Sequence, residues 1–273
     1  MRNSGPDSLQ MVQRLPAAAE DWGYSSVWFT DHSVWSRGMA ELPYHGALWD
    51  DVLSCLAFCA ATTRTITIGP GVLVLALRDP VLTARALTTV DRLSGGRLAV
   101  GIGVGYLQDE YAVVGRGALF KDRGAATDEA IDLIKRCWTG GEFSWPGAHY
   151  GFDAPITFEP TPVQRPHPPL YVGGHSPAAL RRAARHADAW YPAVIEPAEV
   201  VRLGAELDQR AGRRIPRVVR LVVPPDIDVA ARVAEYEDAG CDEVVVEFLT
   251  DSFDQTWDLA GQLAADRLTG SVV

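Results

Sequence analysis

The stretch Thr65–Val104 decides the fold, and it reads TITIGPGVLVLALRDPVLTARALTTVDRLSGGRLAVGIGV. Apolar runs at 65–74 and 97–104 stand on either side of a helical segment. Asp79-Pro80 supplies an N-cap followed by proline at the first helical position, and Ser94-Gly95-Gly96 ends the helix. Strands that are apolar without alternation are buried on both faces, as in a parallel sheet covered by helices. The stretch therefore predicts a strand–helix–strand unit of an α/β protein.

The same alternation of short strands and helices continues on both sides of this unit. It predicts a (β/α)8 barrel of the TIM type, with a doubly wound parallel sheet as the alternative. Such a barrel needs a strand before the helix at 7–21, which Asp7 is expected to cap, and residues 1–6 cannot supply one. The first strand is therefore expected to be missing: either the start is truncated, or the barrel is open between the Val27 and Val244 strands. We expect seven strands, at 25–30, 65–74, 97–104, 170–172, 187–191, 218–223 and 244–249.

Composition and charge are those of one folded domain over residues 1–273, with 47% hydrophobic residues and a net charge of −10. An acidic chain without a basic stripe is not expected to bind nucleic acid, and no apolar run is long enough to span a membrane. The N-terminus lacks the apolar core of a signal peptide, so we expect a cytoplasmic protein. The four cysteines lack a zinc spacing and are expected to be reduced core residues. The segment 141–169 carries seven prolines, which predict a loop excursion with one hairpin.

Two glycine-rich segments follow predicted strands. Gly101, Gly103 and Gly105 do not complete a Rossmann fingerprint, because Tyr106 occupies the sixth position. The segment 174–178 is not a nucleophile elbow, because Pro177 has no N–H for an oxyanion hole. Both segments instead favour close approach of the backbone to a ligand, and the second also places a helix N-terminus where an anion can bind.

Polar and aromatic residues also follow the first visible strand. Asp31-His32 ends that strand, where barrel enzymes place functional groups. No other histidines are spaced to complete a metal site, so metal catalysis is not expected. Trp35, Tyr44 and Tyr106 fall in loops on the same face, where flat rings suit a planar heterocycle.

Four segments together resemble the luciferase-like monooxygenase superfamily, most closely its oxidoreductases that depend on coenzyme F420. They are SSVWFTDH from Ser25, the long block from Thr67 to Tyr111, the FxxRG element at 120–124, and PTPVQRPHPPLYVGGHSPAALRRAARHADAW from Pro160. The resemblance implies a (β/α)8 barrel that holds its cofactor at the carboxyl ends of the strands. It also implies a homodimer.

The resemblance implies a role for each candidate residue. A non-prolyl cis peptide at Gly71-Val72, next to Leu73, is expected to back an isoalloxazine-type ring. The catalytic pair is expected at Asp31 and His32, near the reactive face of that ring, with His32 handling a proton. Trp35 and Tyr44 are expected to line the substrate pocket. The phosphate-bearing tail of the cofactor is expected at Gly103, Gly105, Tyr106, Gly173, Gly174, His175 and Ser176.

The function implied by the resemblance is hydride transfer between coenzyme F420 and a small organic substrate. An FMN-dependent monooxygenase that uses molecular oxygen is the close alternative, and a non-catalytic homologue is the third. Sugar-phosphate dehydrogenases of this superfamily carry a catalytic glutamate where this chain has Tyr106, so a sugar phosphate is not the expected substrate.

Overall fold

Helices and strands alternate through most of the chain in the computed structural model, which describes residues 4–35, 49–250 and 252–270. The strands are β1 (Ser26–Phe29), β2 (Thr67–Pro70), β3 (Leu73–Val74), β4 (Val100–Gly103), β5 (Gly141–Trp145), β6 (Phe152–Phe158), β7 (Leu170–Gly173), β8 (Ala189–Tyr191), β9 (Val218–Val223) and β10 (Glu243–Phe248). The helices are α1 (Ser8–Asp21), α2 (Val52–Thr62), α3 (Pro80–Ser94), α4 (Gln108–Val113), α5 (Arg123–Trp138), α6 (Pro177–His186), α7 (Pro197–Ala211), α8 (Val229–Asp238) and α9 (Phe253–Gly270).

The strands other than β5 and β6 form one parallel array. β1 pairs with β2, β3 pairs with β4, and β4, β7 and β8 follow in that order, while β9 pairs with β10. Parallel bridges from Ile68 to Leu98 and from Trp190 to Arg217 join these ladders. The predicted α/β architecture with a parallel, barrel-type sheet is therefore confirmed. The proline-rich segment contains the antiparallel hairpin β5–β6, and its Glu159-Pro160 and Arg165-Pro166 bonds are cis.

The array does not close into a ring. Within the described residues, β1 and β10 stand at its two ends without a ladder between them. The hydroxyls of Ser25 (2.8 Å) and Ser26 donate to Oε1 of Glu243 and link the two ends. A channel of about 100 Å³ runs along this opening and is walled by apolar side chains of α1 and α9, including Met11 and Leu15.

The prediction of one strand over 65–74 is wrong. The strand is interrupted at Gly71-Val72, between β2 and β3. The peptide bond at this position is cis, as the resemblance implies. Next to this break, β4 passes close to β2, and a Cβ on Gly101 would lie 2.2 Å from the carbonyl oxygen of Pro70. Glycine at 101 therefore allows the two backbones to meet.

The helix N-caps predicted from the sequence are present in the structure, except at α1. The carboxylates of Asp51 and Asp79 accept N–H groups from the first turns of α2 and α3. Asp7 precedes α1, but its side chain does not cap that helix, so this prediction is wrong. The carbonyl of Gly5 accepts the N–H of Ser8, and the Asp7 carboxylate accepts the N–H of Phe253 at 2.9 Å. Asp7 therefore holds the start of α9.

Three aromatic rings fill the inside of the strand array. Trp28 stacks on Tyr191 with 4.9 Å between ring centroids, and Tyr171 lies 5.1 Å from Trp28. Val72 packs against this cluster. Two larger apolar clusters lie between the strands and the helices that cover them. Because the interior is packed, ligand space is left at the carboxyl ends of the strands.

Candidate active site

A cavity of about 510 Å³ opens at the carboxyl ends of β4, β7 and β8 and beside the break between β2 and β3. Such a position is where barrel enzymes carry their active sites. Eight of the ten predicted cofactor-binding residues line it. They are Gly71, Val72, Gly103, Gly105, Tyr106, Gly173, Gly174 and Ser176.

The other two predicted cofactor-binding residues lie outside the cavity lining. The side chain of Leu73 is fully buried in the core between the strands and the helices. His175 is exposed, next to the lining residues Gly174 and Ser176. The cofactor roles of Leu73 and His175 stay predictions from the resemblance.

Three arginines line the cavity, and among its described lining residues there is no aspartate or glutamate. Arg123 donates to the carbonyl oxygens of Phe120 (2.8 Å) and Gly105 (3.3 Å). Arg182 pairs with a carboxylate of α5, and Arg220 pairs with one of β10. No sequence pattern marks these three residues as lining a cavity, although Arg123 lies in the FxxRG element. Arg123 bonds to carbonyl oxygens and not to a carboxylate, so its charge is not neutralised in this way and favours an anionic ligand.

The start of α6 adds to this cationic end of the cavity. Ser176 is its N-cap, and the Ser176 hydroxyl accepts the N–H of Ala179 at 3.2 Å. Gly173 and Gly174 bring bare backbone to the same wall. A helix N-terminus presents free N–H groups and the positive end of the helix dipole, so phosphate groups bind there readily.

Asp31 does not line the cavity, and both oxygens of its carboxylate are hydrogen-bonded. Its side chain is 2% exposed, and its Oδ1 accepts from Arg78 at 2.6 Å. Its Oδ2 accepts the N–H of Val74 at 3.0 Å. The carboxylate therefore fixes β3, which follows the cis peptide bond, and both of its oxygens are engaged.

His32 contacts a buried carboxylate, that of Glu110, which no local sequence pattern marks. The side chains of His32 and Glu110 are 7% and 2% exposed, and Nδ1 of His32 lies 3.2 Å from Oε1 of Glu110. The same oxygen accepts the N–H of Ser33 at 2.9 Å. The His32 ring stands edge-on to that of Tyr106, 6.3 Å between centroids, and Tyr106 lines the cavity. His32 therefore contacts a residue of the cavity lining without lining the cavity itself.

The structure describes one of the two predicted substrate-pocket residues. Trp35 is 38% exposed and lies three residues after His32. Tyr44 lies outside the described residues.

Tyr191 forms part of the cavity floor and was not predicted. Burial raises the pKa of its phenol, and within the described part of the chain its hydroxyl has no hydrogen-bond partner. A Cβ on Gly71 would lie 2.8 Å from this hydroxyl oxygen. Glycine at 71 thus leaves room for the phenol beneath the break in the strand.

The described ranges contain neither a candidate metal site nor a candidate membrane-spanning helix. They contain no group of three His, Cys, Asp or Glu side chains placed to hold a metal ion. They also contain no helix with the length and apolarity that crossing a bilayer requires. Cys55, Cys59 and Cys137 are buried thiols, and burial raises their pKa values to about 12, 11 and 11.

Comparison with known proteins identifies the family of this chain. The family model for luciferase-like monooxygenase matches residues 1–259. An uncharacterised protein of Mycobacterium tuberculosis is 32% identical over 247 residues, which cover 86% of this chain and 83% of that protein. An F420-dependent glucose-6-phosphate dehydrogenase of Amycolatopsis mediterranei is 30% identical over 225 residues, which cover 77% of this chain and 63% of that protein.

Two further proteins show the range of the similarity. An FMNH(2)-dependent dimethylsulfone monooxygenase of Pseudomonas putida is 40% identical over 114 residues, 41% of this chain and 31% of that protein. The structure of an F420-dependent secondary alcohol dehydrogenase in complex with an F420-acetone adduct matches with a TM-score of 0.77 at 17% identity, over 94% of this chain and 93% of that chain. Because the family model extends over nearly the whole sequence, the chain belongs to the luciferase-like monooxygenase family.

Proposed function

We propose that this protein is an oxidoreductase that transfers a hydride between coenzyme F420 and a small organic substrate. The observation that carries the proposal is the cavity lining: three arginines, six glycines and no described carboxylate, at the carboxyl ends of the strands of an acidic protein. Such a lining suits a ligand with a flat ring and a phosphate-bearing tail.

The residues present fit this cofactor. The bare backbone at Gly71-Val72 offers a surface for a flat ring, above the unpartnered hydroxyl of Tyr191. The N-terminus of α6 and Arg123 would hold the anionic tail. When bound, the deazaflavin ring of F420 supplies the hydride chemistry.

The remaining tasks fall to other residues. His32 would pass a proton at the substrate, because an imidazole can both donate and accept a proton. Asp31, with both oxygens bonded, would act as a positioning residue that fixes β3. Packing of Trp28 and Tyr191 below the cavity would exclude water from beneath the ring.

The similarities support F420 over FMN as the cofactor. The F420-dependent dehydrogenase of Amycolatopsis mediterranei aligns with 77% of this chain, whereas the FMNH(2)-dependent monooxygenase aligns with 41%. The second of these matches is the more identical, at 40%, and it keeps an FMN-dependent monooxygenase as the alternative function.

Binding measurements test the proposal. Purified protein is titrated with oxidised and reduced F420 and with FMN, and F420 is expected to bind with the lowest Kd. Arg123→Gln is expected to weaken F420 binding about 10- to 100-fold, the effect of losing one charged hydrogen bond. Arg181→Gln is the matched control, because Arg181 is exposed on α6 and does not line the cavity.

The outcomes separate the candidate functions. Preferential FMN binding together with flavin-dependent oxygen consumption would select the monooxygenase. If neither cofactor binds below high micromolar concentrations, the proposed function fails and a non-catalytic homologue remains. Equal Kd values for Arg123→Gln and Arg181→Gln would overturn the assignment of the anionic tail to the arginine end of the cavity.

A further inference from the structure

We propose that Glu110 is a positioning residue that fixes the tautomer of His32, so that any proton His32 exchanges moves at Nε2. The effect on the tautomer stands on the geometry alone. The effect on catalysis rests on the proposed function, in which His32 is the proton-handling residue.

The contact geometry defines which nitrogen carries the proton. Nδ1 of His32 lies 3.2 Å from Oε1 of Glu110. An ionised carboxylate only accepts hydrogen bonds, so a neutral His32 must carry its proton on Nδ1 to use this contact. The hydrogen bond made by one ring nitrogen determines the role of the other, which here assigns proton exchange to Nε2.

The surroundings of the pair strengthen this contact. Both side chains are more than nine-tenths buried, where an interaction between charged groups is screened less than at the surface. The same oxygen of Glu110 also accepts the N–H of Ser33, which ties the carboxylate to the backbone next to His32.

The pair is placed to act on the cavity. Glu110 is on α4 and does not line the cavity, so its influence on a ligand passes through His32. The His32 ring contacts that of Tyr106, which is part of the lining. Loss of Glu110 should therefore change the chemistry at His32 more than it changes binding of the cofactor.

The test uses full-length protein and two substitutions at one site. Glu110→Leu removes the acceptor while keeping a side chain of similar size, and Glu110→Gln keeps an acceptor oxygen without the charge. Asp109→Leu is the matched control, because Asp109 is exposed in the same turn of α4. Side-chain ¹⁵N chemical shifts of His32, assigned with His32→Gln, report the tautomer in cofactor-free protein.

We expect the Nδ1–H form of His32 in the wild type, in Glu110→Gln and in Asp109→Leu, and its loss in Glu110→Leu. In turnover, Glu110→Leu is expected to lower kcat about 10- to 100-fold with KM changed less than about threefold, and Glu110→Gln to recover part of the loss. An Nε2–H tautomer in the wild type overturns the proposal even if Glu110→Leu does not fold. Retention of the Nδ1–H form in folded Glu110→Leu overturns it as well.

This result is separable from the proposed function. If the wild type binds neither F420 nor FMN, hydride transfer fails as a function, while the tautomer measurement still decides the role of Glu110. If the cofactor binds and the tautomer does not depend on Glu110, the proposed function stands and the positioning role is lost.

Discussion

Individual buried carboxylates hold together segments that are far apart in sequence. Asp91 on α3 is fully buried and accepts the N–H of Val163 (2.6 Å) and the side-chain amide of Gln164 (2.7 Å). It thereby attaches the proline-rich segment to the barrel. Asp31 does the same for β3 through Arg78 and Val74. Substituting either carboxylate would leave its buried hydrogen-bond donors without a partner, which is strongly destabilising. Substitutions at Asp91 and Asp31 are therefore expected to affect folding before chemistry.

His149 makes the stability of the hairpin region depend on pH. Its Nε2 lies 2.6 Å from Asp122 and its Nδ1 2.8 Å from Glu129. Hydrogen bonds to Asp122 and then to Glu129 raise the pKa of His149 above its ordinary value of 6.5. Its contribution to stability is therefore complete below pH 6.5 and is lost as the pH rises through the raised native pKa.

We expect the free energy of unfolding to fall by about 0.5–1 kcal/mol over that range, as for a partly exposed ion pair. His149→Gln should remove this slope, and His175→Gln, at an exposed histidine, should keep it. Urea unfolding at a series of pH values above 6 measures both. A slope that persists in His149→Gln would assign the effect to another group.

The backbone segments that form the candidate site could be predicted from the sequence. The side chains that point into it could be predicted only in part. Gly103, Gly105, Gly173, Gly174 and Ser176 sit at strand and helix ends, whose order the sequence pattern predicts, so these residues could be placed at one opening. Arg182 and Arg220 depend on the rotation of α6 and on the register of β9, which a pattern does not define. Glu110 reaches His32 across 78 residues of sequence, and no local signal marks that contact.

At the scale of elements, Glu20 near the end of α1 holds the approach to β2. Its carboxylate accepts the N–H groups of Arg64 (2.9 Å) and Ile66 (2.8 Å) and also that of Thr65. Burial opposes ionisation of this carboxyl, but these hydrogen bonds outweigh it and lower the pKa of Glu20 from 4.5 to about 2. The stabilisation is therefore complete above pH 4.5 and is lost as the pH falls towards about 2.

Glu20→Gln is expected to lower the free energy of unfolding at pH 7 by about 1–2 kcal/mol, because an amide oxygen accepts these N–H groups less strongly than a carboxylate does. The difference from the wild type should shrink as the pH falls from 4.5 to 3. Glu199→Gln, at an exposed position on α7, is the control. Chemical denaturation at pH 7 and pH 3 checks the prediction, and an equal difference at both values would contradict it.

Most elements could be predicted from capping residues and apolar runs, and the failures have local causes. The expected strand over 65–74 is split at Gly71-Val72, and apolar side chains continue unchanged across the break, so hydrophobicity does not reveal it. Asp7 has the residue type and position of an N-cap. It bonds to Phe253 instead, 246 residues away, because the Gly5 carbonyl already serves the start of α1.

At the scale of the whole molecule, the opening between β1 and β10 should be visible in hydrogen exchange. Each of these strands pairs with one neighbour, so alternate N–H groups point into the channel between them. β4 and β7 are paired on both sides. We expect the channel-facing amides of β10 to exchange on the order of 100-fold faster than amides of β4 and β7.

The paired face of each strand provides the internal control for this measurement. Amides of β10 that bond to β9 should exchange more slowly than their neighbours along the same strand. Uniform protection along β10 would show that a further segment covers the channel and that the array is closed in solution.

The global architecture was predictable because parallel strands joined by helices have few arrangements, and the order of the strands follows their order in sequence. The single domain over residues 1–273, the homodimer and the cytoplasmic location stay predictions. A dimer interface depends on the shape of helix surfaces, which neither periodicity nor composition encodes.

The arginine-lined cavity has a consequence for capture of its ligand in the cell. The protein as a whole carries a net charge of −10 and repels anions. At physiological ionic strength, however, the Debye length is about 8 Å, so an approaching phosphate is shielded from most of the surface and meets only the local field of the mouth. The acidic exterior would therefore not impair recognition of the proposed anionic cofactor, and dilution into low-salt buffer would let distant repulsion slow the encounter.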